Sequence, residues 1–416
     1  MPSTRVSFVL ATCNRRDVLL STLQHLREAA AEADESEIIV VDNASRDRTC
    51  DAVRSQFPEV RLIPLANNLG SCAKAVGVER AGGEYVVFLD DDSHPRPGSI
   101  RRMIERFDTD PRLGCAGFTV HLPDGRLESS ALPNVFVGCG AGFRRAALRE
   151  VGGLDRTLFM QAEEYDLSFR LAATGWKIET FPDLHVDHLK TPQSRVARRT
   201  LYYDTLNNLL LAARYLPDEY EADIRRDWSQ RYGWIAADAA HLSAYWRGRI
   251  EGACRYRRER HAYARWRLPP PAFEYLFRFR YIARAMAAVA ESGARTIVLA
   301  ELGKNIRPFV LAARNARLRI CGIADDRFAA PGRRYEGIPI QSLPEALRAA
   351  PDLVVISNTS PAHARRTAEH VRQSTPIPVL RWFGYDLPAD STTNGSASSP
   401  RPRSLVSCSP VGSCLL

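Results

Sequence analysis

The sequence predicts an α/β protein built on a parallel sheet, followed by a helical region and a second, smaller α/β unit. Three observations carry this expectation. Short β-branched runs alternate with helix-periodic segments through the first part of the chain, the pattern of strands joined by crossover helices. Each of these runs ends in a polar loop. The alternation then gives way to a long arginine- and aromatic-rich helical stretch and resumes near residue 294.

At 416 residues the chain has room for two or three domains, and 45% hydrophobic with 25% charged residues is the balance of a soluble globular protein. The net charge of +9 comes mostly from arginine. It suits anionic partners without choosing among nucleic acid, acidic lipid and phosphorylated substrates. Nine cysteines are scattered with no C-x-x-C pair, which argues against a zinc site or disulfide framework and suits a reducing compartment. No signal peptide precedes Val6 and no apolar run approaches membrane-spanning length. The expected location is the cytoplasm, either soluble or peripheral at the inner face of the cell membrane.

A first strand is expected at residues 6–11, running into Thr12-Cys13-Asn14-Arg15. The helix at 17–33 places Val18, Leu19, Leu23 and Leu26 on one face. A second strand at 37–41 ends in Asp42-Asn43-Ala44-Ser45, and a third at 60–64 precedes Asn67-Asn68-Leu69-Gly70. After a helix at 71–81 and the Gly82-Gly83 turn, a buried strand at 85–89 meets Asp90-Asp91-Asp92. Parallel sheets bind ligands beyond the carboxyl ends of their strands, so all four loops face one crevice.

The crevice has a chemical logic. Asp42 can accept hydrogen bonds from a ribose or a base N–H, and Arg15 with the helix N-terminus after Thr12 can meet phosphates. Three carboxylates at the mouth of a buried strand repel one another unless a cation sits among them. Strand alternation points Asp90 and Asp92 to the same side, and their hard oxygens suit Mg²⁺ or Mn²⁺. The plainer alternatives are an acidic turn capping a helix near Pro97 and a helix cap at Asp42-Asn43-Ala44-Ser45. The company of the four loops favours the ligand site.

Further on, Gly138-Cys139-Gly140-Ala141-Gly142 allows close backbone approach to a ligand or makes a tight turn. Glu163-Glu164-Tyr165-Asp166 opens a helix in which Asp166 and Arg170 form an i, i+4 pair, and its acids also suit the helix dipole. His185 and His188 follow a strand at 178–181.

Four stretches, in order and spacing, resemble the family 2 glycosyltransferases of the GT-A fold, close to the bacterial rhamnosyltransferase-like members. They are Val9-Leu10-Ala11-Thr12-Cys13-Asn14-Arg15, Ile39-Val40-Val41-Asp42-Asn43-Ala44-Ser45, Asn67-Asn68-Leu69-Gly70 and Phe88-Leu89-Asp90-Asp91-Asp92. The resemblance covers about residues 5–215. It implies that Asp42 binds the uridine or thymidine end of a nucleotide sugar, with Thr12, Asn14, Arg15, Asn68, Gly70, Asp90 and Asp91 around the donor. It also implies an Mg²⁺ or Mn²⁺ site at Asp90 and Asp92, with Asp92 the direct ligand and His188, rather than His185, reaching the metal. Gly140, Ala141 and Gly142 would lie beside the acceptor. The family's Glu-Asp-x-Asp-Leu-x-x-Arg stretch places its catalytic base where this chain has Glu164, one methylene longer than the usual Asp; Glu163 and Asp166 are further candidate acids. The implied reaction is inverting transfer from a UDP- or dTDP-sugar to a glycan or other glycoconjugate hydroxyl, with no nucleic-acid partner. A nucleotide-sugar-binding protein without transferase activity is the first alternative, and an oxidoreductase based on the C-terminal unit is the second.

Residues 1–215 are thus expected to form the GT-A domain and 216–291 a helical basic and aromatic region. An ordinary helical subdomain is the favoured reading of the latter, with peripheral membrane contact as its rival. Residues 292–386 resemble the Rossmann-like domains attached to sugar-modifying enzymes, but Ala300-Glu301-Leu302-Gly303 stands where a G-x-G-G loop is expected. Dinucleotide binding is not expected there, and the unit is expected to be dispensable for chemistry. Residues 387–416 read as a disordered Ser/Pro/Thr/Gly tail. The sequence sets no oligomeric state.

Overall fold

The computed structural model describes residues 4–33, 35–190 and 197–381; the expected tail lies outside them. The strands of the first sheet are β1 (Val6–Thr12), β2 (Ser36–Asp42), β3 (Arg61–Pro64), β4 (Tyr85–Phe88), β5 (Ser93–Pro95), β6 (Leu113–His121), β7 (Leu127–Glu128), β8 (Ala141–Arg144) and β9 (Lys177–His188). Their order is β3-β2-β1-β4-β8-β6-β9-β5, with β7 on β6. The strands from β3 to β4 are mutually parallel, and β8 runs antiparallel between β4 and β6.

The sheet is buried on both faces because its apolar runs alternate sides. Val6, Phe8 and Leu10 pack with Leu19, Leu23 and Leu26 of α1 (Arg16–Ala30), whereas Val9 packs in the opposite layer with Phe88, Phe143 and Leu167. The remaining helices of this half are α2 (Thr49–Gln56), α3 (Lys74–Arg80), α4 (Ser99–Thr109), α5 (Arg145–Glu150) and α6 (Glu163–Ala173). A 3₁₀ turn at Gly70–Ala73 precedes α3 where a continuous helix is expected. Gly70 has φ +68, and a Cβ there would stand 1.6 Å from the Phe159 carbonyl oxygen, so only glycine fits this entry.

Five helices follow: α7 (Ala197–Tyr215), α8 (Asp218–Asp238), α9 (Leu242–Ala262), α10 (Pro270–Phe277) and α11 (Phe279–Glu291). Packing does not break at residue 215. Phe169 and Ala172 of α6 share one core with Tyr215, Ile224, Trp228, Phe273 and Phe277. The fully buried Arg214 binds Asp155 at 2.9 Å, Asp166 at 3.3 Å and Glu259 at 2.7 Å, so charge as well as apolar contact joins α6, α7 and α9. Losing one partner of such a buried set costs about 3–5 kcal/mol.

The second sheet contains β10 (Thr296–Ala300), β11 (Arg319–Ala324), β12 (Arg334–Tyr335), β13 (Ile338–Gln341), β14 (Leu353–Ile356) and β15 (Val379–Arg381), in the order β12-β13-β11-β10-β14-β15. All pairs are parallel except β12 with β13. Its helices are α12 (Arg307–Asn315), α13 (Leu343–Leu347) and α14 (Pro361–Ser374). This unit makes direct contacts with the rest of the chain. Trp228 Nε1 donates to the Lys304 carbonyl at 3.2 Å, Asn305 to Phe277 O at 3.0 Å and Tyr335 Oη to Asp227 at 2.9 Å. Near α14, Thr359 Oγ1 donates to Ala131 O at 2.6 Å, and Ser129 Oγ accepts the Ala362 N–H at 3.0 Å.

Candidate functional site

A cavity of about 770 Å³ opens where the carboxyl ends of β1, β2 and β4 meet the N-terminus of α6. Thr12, Asn14, Arg15, Asn68, Gly70, Asp90, Asp91, Asp92, Glu163, Glu164 and His188 all line it, so residues from remote parts of the chain converge as expected. Asn14 adopts φ 55 and accepts the Arg46 N–H at 2.7 Å, while Asn68 accepts the Gly70 N–H at 2.8 Å; both amides shape the loops they sit on.

The three aspartates do not alternate as a strand would have them. β4 ends at Phe88 and the chain turns, with Ser93 Oγ accepting the Asp90 N–H at 2.9 Å. Two cations meet the three carboxylates. Lys74 Nζ of α3 lies 2.6 Å from Asp90, and the Arg15 guanidinium lies 3.2 Å from Asp91 and 2.8 Å from Asp92. Thr12 Oγ1 donates to Asp91 at 2.7 Å. Burial still pushes the Asp91 carboxyl up to about 6, against the pull of Arg15 and Thr12. Arg15 therefore holds the acidic turn together in this arrangement, in addition to any part it takes with phosphates.

His188 is the histidine of the crevice; His185 turns away to His121, with 3.0 Å between ring nitrogens. Glu128 Oε2 lies 2.9 Å from His188 Nδ1, and Lys190 lies 2.8 Å from the other Glu128 oxygen. Burial opposes ionisation of Glu128, but His188 and Lys190 outweigh it and hold its carboxyl at about 2. With Nδ1 engaged, Nε2 faces Asp92 Oδ1 at 3.4 Å and makes no hydrogen bond among the described residues. Ligand atoms of Asp90, Cys139 and His188 lie within 4.8 Å of one another. A buried, hydrogen-bond-free imidazole nitrogen aimed at carboxylates and oriented by a second carboxylate is a donor set that fits a divalent ion. Cys139 enters this group although its sequence spacing gives no sign of it.

Glu163 and Glu164 stand side by side at the N-terminus of α6. Glu163 Oε2 is buried and makes no hydrogen bond among the described residues. Burial raises both carboxyls, and the Glu163 charge raises Glu164 further, to about 8. A Cβ at Gly138 would stand 2.9 Å from Glu164 Oε1. The small-residue loop thus does approach the acidic pair, but through Gly138.

Gly140, Ala141 and Gly142 are not among the lining residues. A Cβ at Gly140 would meet Val186 at 2.5 Å and one at Gly142 would meet Met103 at 2.2 Å, so these glycines allow β8 to pack in the sheet. Asp166 also lies outside the lining: it is fully buried against Arg170, Arg214 and the Tyr215 hydroxyl, and braces α6. Asp42 is buried behind the loops; its Oδ2 accepts the Ser45 N–H at 3.1 Å and its Oδ1 makes no hydrogen bond among the described residues.

The model of glycosyl transferase family 2 matches residues 7–133, and that of glycosyl transferase family group 2 matches 115–302. The chain belongs to the family 2 glycosyltransferases. Its two-sheet α/β architecture is the GT-A fold with added helices and a second sheet. The second match runs through α7 to α11, in keeping with the shared core of those helices and α6. An N-acetylglucosaminyl-diphospho-decaprenol L-rhamnosyltransferase of Mycobacterium tuberculosis is 28% identical over 203 residues, covering 37% of this chain and 66% of the relative. A succinoglycan biosynthesis protein of Rhizobium meliloti is 38% identical over 105 residues, 25% of this chain and 30% of the relative. The chain therefore spans less than two thirds of either relative's length. A mannosyltransferase of Pyrobaculum calidifontis, solved with GDP-Man and Mn²⁺, superposes with a TM-score of 0.43 at 21% identity, over 66% of this chain and 87% of that one.

Proposed function

We propose that this family 2 glycosyltransferase moves a sugar from a UDP- or dTDP-sugar to a hydroxyl of a glycan or other glycoconjugate, with inversion at the anomeric carbon. The observation that carries the reading is the meeting of Glu163 and Glu164 with the Asp90–Asp92 turn, Arg15 and Lys74 in one cavity. The mycobacterial relative is named as a rhamnosyltransferase acting on a glycan-lipid diphosphate, which favours a glycoconjugate acceptor here.

Glu164 is the proposed base. A sugar hydroxyl is a poor nucleophile, and a carboxylate against it takes the proton as the new glycosidic bond forms. One base without an enzyme nucleophile gives direct displacement and so inversion. Asp42, with a buried oxygen making no hydrogen bond, suits a nucleoside N–H or ribose hydroxyl. Thr12 and Arg15 fix the acidic turn, and Lys74 holds Asp90. Asp90, Asp92 and His188 would hold Mg²⁺ or Mn²⁺, which when bound offsets the charge of a departing diphosphate.

The proposed location is the cytoplasm, with peripheral contact at the membrane. No helix among the described residues is long and apolar enough to cross one. The support for peripheral contact is on α9, where Leu242, Trp246 and Ile250 are 48%, 50% and 61% exposed at a spacing of four.

The test is nucleotide release from UDP- and dTDP-sugars. Asp92→Ala should abolish release and weaken UDP binding far more in Mn²⁺ than in EDTA. Equal UDP affinity for the variant and the parent in Mn²⁺ would sink the metal assignment. Absence of release from every donor, with intact binding, would leave the non-catalytic binding reading in its place.

A further inference from the structure

The second sheet reverses its strand order between β10 and β14. In open parallel sheets ligands sit at such a reversal, outside the carboxyl ends of the strands. A cavity of about 570 Å³ opens there, within the usual size of a small-molecule site. It lies apart from the donor crevice and shares no lining residue with it.

Its charges are unevenly satisfied. The three carboxylates on its wall are already engaged. Glu301 accepts from Thr367 at 2.6 Å and faces His363 at 3.3 Å. Asp325 accepts the N–H groups of Leu302 at 2.7 Å, Arg327 at 3.0 Å and Phe328 at 3.2 Å, and Asp326 accepts that of Leu343 at 3.1 Å. The cations are not matched. Lys304, Arg327 and Arg366 line the same cavity, and among the described residues none has a carboxylate within 4.0 Å. Lys304 Nζ rests on the faces of Tyr165 and Trp228, 3.8 and 4.6 Å from the ring centres. Burial pushes its ammonium down to about 7, against the pull of the Asp204 and Glu164 carboxylates.

We propose that this cavity binds a small phosphomonoester, with Lys304, Arg327 and Arg366 as the cations that meet its phosphate. The wall's carboxylates are held by backbone N–H groups, Thr367 and His363 rather than by these cations, and guanidinium groups match phosphate oxygens in pairs. A dinucleotide is disfavoured. Glu301 keeps the left-handed backbone of a phosphate-binding glycine, φ +80, but fills the turn with an anionic side chain where a pyrophosphate needs bare backbone. A sugar phosphate or a nucleoside monophosphate has the right charge and size.

The test measures thermal unfolding and equilibrium binding of the full chain with orthophosphate, glucose 1-phosphate and AMP, beside glucose and adenosine. At least one phosphate compound should raise Tm in a saturable way while the two neutral compounds do not. Arg366→Glu and Arg327→Glu, both at exposed positions, should each weaken its Kd tenfold or more without lowering Tm in the absence of ligand. Asn68→Ala, in the other crevice, should leave Kd unchanged. The proposal is overturned if none of the three phosphates shifts Tm, if binding survives both charge reversals, or if only Asn68→Ala abolishes it.

Discussion

A carboxyl held near pH 8 is mostly protonated at neutral pH, which sets what Glu164 can do. As a base it must lose that proton, so kcat/KM should rise about tenfold per pH unit towards 8 and level off above it. Glu164→Gln keeps the shape and cannot accept a proton. It should cut kcat by roughly two orders of magnitude or more, with donor affinity nearly unchanged. Glu163→Gln is the control, and the reverse pattern would move the base by one residue. The raised pKa also bears on stability. The folded state holds this proton more tightly than the unfolded chain, so stability is full below the ordinary carboxyl value and is lost as pH rises from there towards 8. Glu164→Gln should therefore match the parent in urea melts at pH 4 and exceed it at pH 8. The residues that were legible in sequence here, namely Arg15, Asp90, Asp91, Asp92, Glu163, Glu164 and His188, sit on loops or at element ends with chemistry that has no core role. Lys74, Glu128 and Cys139 were not, because each lies singly in a short helix, a two-residue strand or a small-residue loop.

Among elements, α9 departs most from the expectation of an ordinary solvated helix. Leu242, Trp246 and Ile250 fall within one face at i, i+4 and i+8, and Arg247 and Arg249 flank them. Apolar side chains beside arginines suit the surface of an anionic bilayer, where area and charge both contribute. Co-sedimentation with vesicles containing phosphatidylglycerol should be strong for the parent and fall several-fold for Trp246→Glu, with nucleotide release from soluble donor unchanged. Equal sedimentation of the two proteins would return α9 to a plain helical surface. The sequence marked this stretch as basic and aromatic. It could not tell which of its aromatic residues are core: Trp228 is buried with Phe277 whereas Trp246 is half exposed.

Over the whole molecule, the parallel strands β1, β2, β3 and β4 could be read from their apolar runs, since strands buried on two faces leave continuous β-branched sequence, whereas β6 and β8 were not read. The very short β5, β7 and β12 left no such trace. Neither did the union of the parts, which rests on single Ser, Thr, Asn, Trp and Tyr contacts and on ion pairs such as Arg333 with Asp238, all without periodicity. That union changes what truncation should do. Ending the chain at residue 292 would strip Trp228, Phe277 and the 129–131 loop of partners, so loss of activity is expected where independence was. In the full chain, Ser129→Ala should lower kcat about threefold to tenfold, a coupling on the order of 1 kcal/mol; an unchanged kcat would make this loop a mere spacer. Glu128, which orients His188, directly precedes Ser129, whose hydroxyl receives the Ala362 amide proton. That one amide thus reports across the molecule: if nucleotide binding steadies Glu128, deuterium should enter Ala362 more slowly, far from any atom the nucleotide touches.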